Sequence, residues 1–580
     1  MTRVFVKGAL LIGAAITVAQ LTYAASTPER IVFDGNVLFN NSAGDFTTAA
    51  GRCTTTVVPL SIDSTLSAQK LATVYFTHNK HVDPKLVAPY NLNNPRWDPQ
   101  QTSPLLCNYT GDAFVLDASA VDPWFEKTAY GGAIDYRLLD PTQDWTTGWI
   151  YTNTAGGLGR TDINLAKPLV ILSGPQTSSA TLSASNNYLL RGKVNWVNGT
   201  TLTIPAGTYL FGEKATTGYL VIDRGAHIFV NGTKASPVVL TSDQDFTAGL
   251  QAPGDNGGLV IHGRAVSNCA NTAAGDSCSS EGGAGFFGGG NDNDNSGSIR
   301  YMRIEYSGKE ISIDNELNSL TMNAVGRNTT IEFVQCHMGS DDSFEWFGGT
   351  ARLKHIVATG QDDDGLDWQL GFRGFVQFAV VQQYPNRGDK GTEADNSEFN
   401  FDAPGRSNPV FSNITYVGTN PPTPGAGSTN VGYQLRRGSA GMLINSVILG
   451  FRGPGFEMTD PQTFANCPGT APPVLCTPVV SAVETQNTPL HRGIVMFASP
   501  NPFGGSTNIV FGMPVDRSHV KARVYNAQGR LVSTLYDGPL SRGSHTMSWT
   551  PSRSLPAGAY FFRVESEGGL STNGKLVVVR

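Results

Sequence analysis

Two hexapeptides near the middle of the chain carry the side chains best suited to chemistry: Asp341-Asp342-Ser343-Phe344-Glu345-Trp346 and, 22 residues on, Asp363-Asp364-Gly365-Leu366-Asp367-Trp368. A third segment, Asp389-Lys390-Gly391-Thr392-Glu393, follows the second by 26 residues, with Lys390 where the second aspartate had stood. If each segment belongs to one coil of a stack, Glu345, Asp367 and Glu393 lie over one another as candidate ligand-binding residues. Strand alternation puts Phe344 and Trp346 on one face and Glu345 on the other, and opposes Leu366 and Trp368 to Asp367 in the same way. Adjacent strands of a sheet are roughly 4.8 Å apart, close enough for neighbouring carboxylates to raise one another's pKa. Left bare, such a ladder is unfavourable.

Three arrangements relieve it. A hard cation such as calcium (Ca²⁺) takes roughly six to eight oxygen ligands, which Asp341, Asp342, Asp363 and Asp364 could help supply as candidate metal ligands. A carboxyl pair about 5 Å apart is also the geometry of a retaining glycosidase, one group acting as nucleophile and the other as acid and base. In the third arrangement the paired aspartates are turn residues whose side chains cap backbone amides at coil corners, and Arg352, Lys354, Arg373 and Lys390 neutralise the remaining charge.

Other reactive residue types are sparse. His78 and His81 stand three apart with no third ligand in view, short of a zinc site. The stretch Gly282 to Gly290 lacks the lysine and helix of a phosphate loop and reads as a surface loop. Of seven cysteines, Cys269/Cys278 and Cys467/Cys476 flank short polar loops that a disulfide could pin, and Cys53/Cys107 is a further pairing. Cys336, among Ile331, Phe333 and Val334, reads as a buried, inert thiol.

The elements that must position these residues are short strands. From about residue 187 β-branched runs alternate with Gly, Asn and Asp turns, and no helical crossover intervenes. Leu202-Thr203-Ile204-Pro205-Ala206-Gly207 lies over Leu220-Val221-Ile222-Asp223-Arg224-Gly225 at an offset of 18, and Phe411 to Gly418 lies over Leu443 to Gly450 at 32. Unequal periods of this kind, with Asn295, Asn413 and Asn445 at corners as side-chain ladders, fit coils of unequal loop length. Composition agrees: 66 Gly and 33 Pro against 15% charged residues describe a turn-rich β protein. The fold class is therefore all-β, a right-handed parallel β-helix followed by a small Ig-like β-sandwich. A net charge of −6 with no basic cluster excludes a field able to hold nucleic acid.

The domain reading follows. Residues 1–24 form a signal peptide, with Arg3 and Lys7, the apolar run Ala9 to Leu21, and small residues at Thr22 and Ala24 before the cleavage point. No later run is long and apolar enough to span a bilayer. Residues 25–186 form a β-rich region that caps the first coil, 187–458 the β-helix, 459–497 a linker rich in Pro, Thr and Asn, and 498–580 the sandwich, with strands such as Val520 to Tyr525 and Tyr560 to Val564.

Within the last segment, Asn501-Pro502-Phe503, Val524-Tyr525-Asn526-Ala527-Gln528-Gly529-Arg530, Leu555-Pro556-Ala557-Gly558-Ala559-Tyr560-Phe561 and Gly574-Lys575-Leu576-Val577-Val578-Val579 resemble, in order, the sorting domains of the type IX secretion system. That resemblance implies the type IX machinery as partner and an extracellular or outer-membrane surface location. Tyr130-Gly131-Gly132-Ala133, Asp144 to Trp149, Gly257 to Ile261, Asp294 to Gly297 and Arg303-Ile304-Glu305-Tyr306 resemble a group of secreted bacterial β-helix proteins of unassigned activity. The paired aspartates resemble the stacked aspartates of β-helical polygalacturonases, though that group's accompanying histidine and arginine segments are absent.

The reading is a secreted or cell-surface β-helix that binds an extended polysaccharide along the acidic ladder, since solenoid faces suit long ligands. A polysaccharide lyase or glycoside hydrolase on the same coils, and a structural adhesin, are the alternatives.

Overall fold

The computed structural model describes residues 31–34, 36–39, 41, 80–81, 83–100, 103–105, 118–128, 130–135, 144–152, 160–246, 250–269, 278–312, 315–419, 430–466, 496–499, 503–513, 517–541, 543–552, 554–566 and 571–579. Twenty-five of its strands form one continuous sheet, in which successive rungs pair in parallel, so the molecule is a parallel β-helix. The acid-bearing column runs through Tyr219–Ile222, Leu259–His262, Leu320–Asn323, Phe344–Phe347, Leu366–Gln369, Thr392–Ala394, Tyr433–Leu435 and Phe456–Met458. Inward positions of these rungs are apolar and buried, among them Leu320, Phe344, Trp346, Leu366 and Trp368.

The other faces are built from longer strands that bend: Gly297–Glu305, Thr330–His337, Arg352–Thr359, Phe375–Gln382 and Val410–Val417. Each bends at one left-handed residue, namely Tyr301, Phe333, His355, Phe378 and Asn413, with φ of 50°, 56°, 58°, 62° and 58°. Such a conformation costs a side-chain-bearing residue roughly 1–2 kcal/mol. Here the rings repay it by stacking, Tyr301 on Phe333 at 4.4 Å, Phe333 on His355 at 4.5 Å and His355 on Phe378 at 5.0 Å. Asn413 and Asn445 (φ 56°) extend the same corner. Asn295 instead accepts a local bond from Gly297 N.

The N-terminal region differs from the expected cap in two respects. Parallel stacking already begins at Leu169–Gln176, which pairs with Asn187–Trp196, ahead of the expected start at 187. The strands Ile31–Asp34 and Val37–Phe39 pair with Gly441–Ile444 and Val447–Leu449, so they close the far end of the helix and not its first coil. Intervening residues run along the outside, held by three glutamines that act as surrogate backbone. Gln335 bonds both N and O of Tyr151 at 2.7 Å, Gln377 both N and O of Glu126 at 2.8 Å, and Gln382 takes Trp97 Nε1 at 3.1 Å while donating to Pro89 O.

The C-terminal unit is a sandwich of a three-stranded and a four-stranded antiparallel sheet over Phe503, Ile509, Phe511, Val524, Trp549 and Phe562. Of the expected linker, Pro461–Phe464 forms a helical turn, after which Asn466 donates to the carbonyls of Gly438 and Ser439. Cys269 and Cys278 are joined by a disulfide, and Cys336 is buried with its thiol pushed up by burial. The proposed signal peptide, Cys53, His78, Cys107, Cys467 and Cys476 lie outside the described residues. Among the described residues no helix is long and apolar enough to cross a membrane.

Candidate functional site

The expected register holds. Glu345 pairs with Asp367 and Asp367 with Glu393 on consecutive rungs, and the column continues upward to Thr321 and downward to Gln434 and Glu457. Because Phe344, Trp346, Leu366 and Trp368 face the core, these side chains face out. They are nevertheless largely covered, Glu345 being 4% exposed and Glu393 8%.

Asp342 and Asp364 serve as corner caps. Asn318 Oδ1 accepts Asp342 N at 3.1 Å, Asp342 Oδ1 accepts Asp364 N at 2.9 Å, and Asp364 Oδ1 accepts Lys390 N at 2.6 Å. Asn318 does this work without charge, so capping alone does not require the two aspartates to be acids. Their carboxylates converge with the ladder: Asp342, Glu345 and Asp367 each bring an oxygen within 4.8 Å of the others, as do Asp341, Asp342 and Asp363; Asp363, Asp364 and Asp389; and Asp364, Asp367 and Glu393.

Among the described residues, the ion pairs of the Glu345, Asp367 and Glu393 column are confined to the Glu393 end. Lys390 Nζ reaches Asp389 at 2.5 Å and Glu393 at 2.6 Å. Arg436 pairs with Glu393 and, at 2.8 Å, with Asp395, which Arg437 meets at 2.9 Å. Of the four cations expected to neutralise the ladder, Lys390 alone does so. Arg352 pairs with Asp122, Lys354 with Glu126 and Arg373 with Asp292, because the strand Arg352–Thr359 and the loop carrying Arg373 lie on another face of the helix. Glu345 is held by neutral amides, Asn318 Nδ2 and, at 3.4 Å, Gln369 Nε2.

The protonation equilibria follow. Burial, then neighbouring carboxylates, push Asp341, Asp342 and Glu345 well above the usual carboxylate range. Asp364 is also driven up by burial, against the pull of Lys390. Burial raises Asp367 to about 6, opposed by Arg436. Burial brings Arg436 down to about 10. Asp367 Oδ1 and Thr321 Oγ1 are buried atoms with no hydrogen-bond partner.

Glu281, Asn318, Asp395, Arg436 and Arg437 complete the site and were not singled out from the sequence. Continuing the repeat past Glu393 leads to Arg436, but Gln434 follows Glu393 by 41 residues, well outside the earlier spacings. Glu281 immediately precedes the glycine stretch read as a surface loop. That stretch lies at the surface, with Phe286 exposed and Ala284 packed against the helix, and burial together with Asp341 and Glu316 raises the Glu281 carboxyl well above the usual range.

Residues 174–487 match the family described as a pectate-lyase like beta helix domain, and residues 498–579 match a secretion system C-terminal sorting domain. No curated protein matches the chain. With more than half its length in the first match, the chain belongs to the pectate-lyase-like β-helix family, and its type IX sorting domain marks it for the extracellular or outer-membrane surface.

Proposed function

We propose that this exported β-helix binds an extended acidic polysaccharide along the Glu345–Asp367–Glu393 column, through a hard divalent cation such as Ca²⁺ held at the uncompensated end. The observation that carries this reading is the convergence of Asp342, Glu345 and Asp367 within 4.8 Å, where, among the described residues, no lysine or arginine forms an ion pair with them and Arg436 and Lys390 act on Asp367 only at longer range. An all-oxygen donor set of this kind suits a hard cation, and the unpartnered Asp367 Oδ1 supplies a ready ligand atom. Bound there, the cation would neutralise the carboxylates and present positive charge to a uronate group.

A lyase reading draws on one further observation: burial brings Arg436 down to about 10 beside Glu393, so that its guanidine, once it has given up its own proton to solvent, could take one from the carbon next to a uronate carboxylate.

Calorimetric titration with Ca²⁺, followed by acidic glycans with and without chelator, tests the proposal. Chelator-sensitive glycan binding that is lost in Asp367→Ala is the expected result. Equal binding after chelation refutes the role of the cation, and release of products absorbing in the ultraviolet selects the lyase reading.

A further inference from the structure

Resting on that reading, we infer that the groove is blind at its Glu345 end and grips the terminus of a polysaccharide, not its interior. The outward position of the acid column can be followed rung by rung: Val221, Val260, Thr321, Glu345, Asp367, Glu393, Gln434, Glu457. Val221 and Val260 are 0% exposed, Thr321 3% and Glu345 4%, whereas Asp367, Gln434 and Glu457 are partly open, with Glu393 covered between them by Lys390 and Arg436. The cover on the upper rungs is the segment 278–287, which starts at the Cys269–Cys278 disulfide and crosses the sheet. Ser280 accepts a bond from Asn323 Nδ2 at 2.9 Å, Gly282 N donates to Asn315 at 2.7 Å, and Lys193 donates to Ala284 O.

Beneath this crossing the space is filled by side chains. Ala284 packs with Tyr219, Val221, Val260 and Leu317 in one buried cluster, and Gly285 lies so close to His262 that a Cβ would stand 2.8 Å from its ring. No chain can thread beneath. The crossing also carries Glu281, which adds to the field at Glu345, so the wall is itself part of the acidic site. At its foot Thr321, with its unpartnered Oγ1, sits directly over Glu345. A ligand can therefore extend in one direction only, from Glu345 toward Glu457, over four rung spacings or roughly 19 Å.

The test is a size series of oligogalacturonides and the polymer, titrated into the full chain with Ca²⁺, each also prepared with its reducing end reduced or its non-reducing end unsaturated. Terminal recognition predicts affinity per chain that reaches a plateau at short length, and at least about a tenfold loss from modifying one of the two ends. Affinity per chain that rises with length and ignores both modifications overturns the inference while leaving polysaccharide binding intact. Absence of binding by every acidic member overturns the reading it rests on as well. Cys278→Ser combined with Asn315→Ala, which loosens the crossing, is expected to relax the length dependence; if that variant fails to fold, the series on the native chain still decides.

Discussion

Glu345 and Glu393 occupy the same position on rungs two apart, yet the protein treats them differently. Glu393 is met by Lys390 and Arg436, and its neighbour Asp395 by Arg436 and Arg437. Glu345 has amide donors, with Asp342 and Asp367 at its side. One half of the ladder is an ion-pair network in which burial still lifts Asp395 to about 7, and the other is a set of raised carboxylates without ion pairs that a cation would complete. Stability and binding are thus separated along a single column: the lower half is built to persist, and the upper half tolerates its own repulsion.

Three experiments break or sharpen this contrast. The largest effect is expected from Lys390→Met, which strands Asp389 next to a buried aliphatic chain and leaves Glu393 to Arg436 alone. Removing one partner of a buried pair costs about 3 kcal/mol, to be read as a lowered urea midpoint; a shift below about 1 kcal/mol would show that the lower half needs no internal cation. Next is the pH response of the cation-free chain. The folded state holds the Asp367 proton more tightly than the unfolded chain does, with a pKa of about 6. The stability this provides is complete below the ordinary carboxylate value and is lost as pH rises through about 6. A fall on the order of 2 kcal/mol between about pH 4 and 6 is expected from urea titrations, and saturating Ca²⁺ should abolish it. A flat profile without Ca²⁺ would mean that the upper half is not strained.

The smallest stability change belongs to Asp342→Asn with Asp364→Asn. Amides keep both corner caps, as Asn318 already shows, so cation-free stability should move by less than about 1 kcal/mol, toward greater stability. The melting-temperature rise produced by Ca²⁺ should disappear in this variant and survive in Arg373→Gln, whose side chain serves Asp292 on another face. If the double variant keeps its Ca²⁺ response, the cation lies elsewhere.

The stacking of the three acidic segments was legible because each coil repeats one local pattern, an Asp pair or Asp-Lys three residues ahead of an acid, at similar spacing. Alternation also located Phe344 and Trp346 inside. What stayed hidden depends on contacts without local signal. Arg436 reaches Glu393 across a long insertion, and Glu281 enters from a glycine-rich crossing whose path is set by Leu317, His262 and a disulfide. Arg352, Lys354 and Arg373 were assigned by proximity in sequence, which in a solenoid predicts the coil but not the face.

Residues Asn36 and Asn41 accept bonds from Ser446 N and Phe451 N, each 410 positions further along the chain. A polypeptide delivered amino end first must therefore carry these early strands unmatched until almost the whole solenoid has followed. Their docking works as a completion seal: a truncated product keeps an open sheet edge, prone to self-association, and closure is slow because its partners are so remote in sequence.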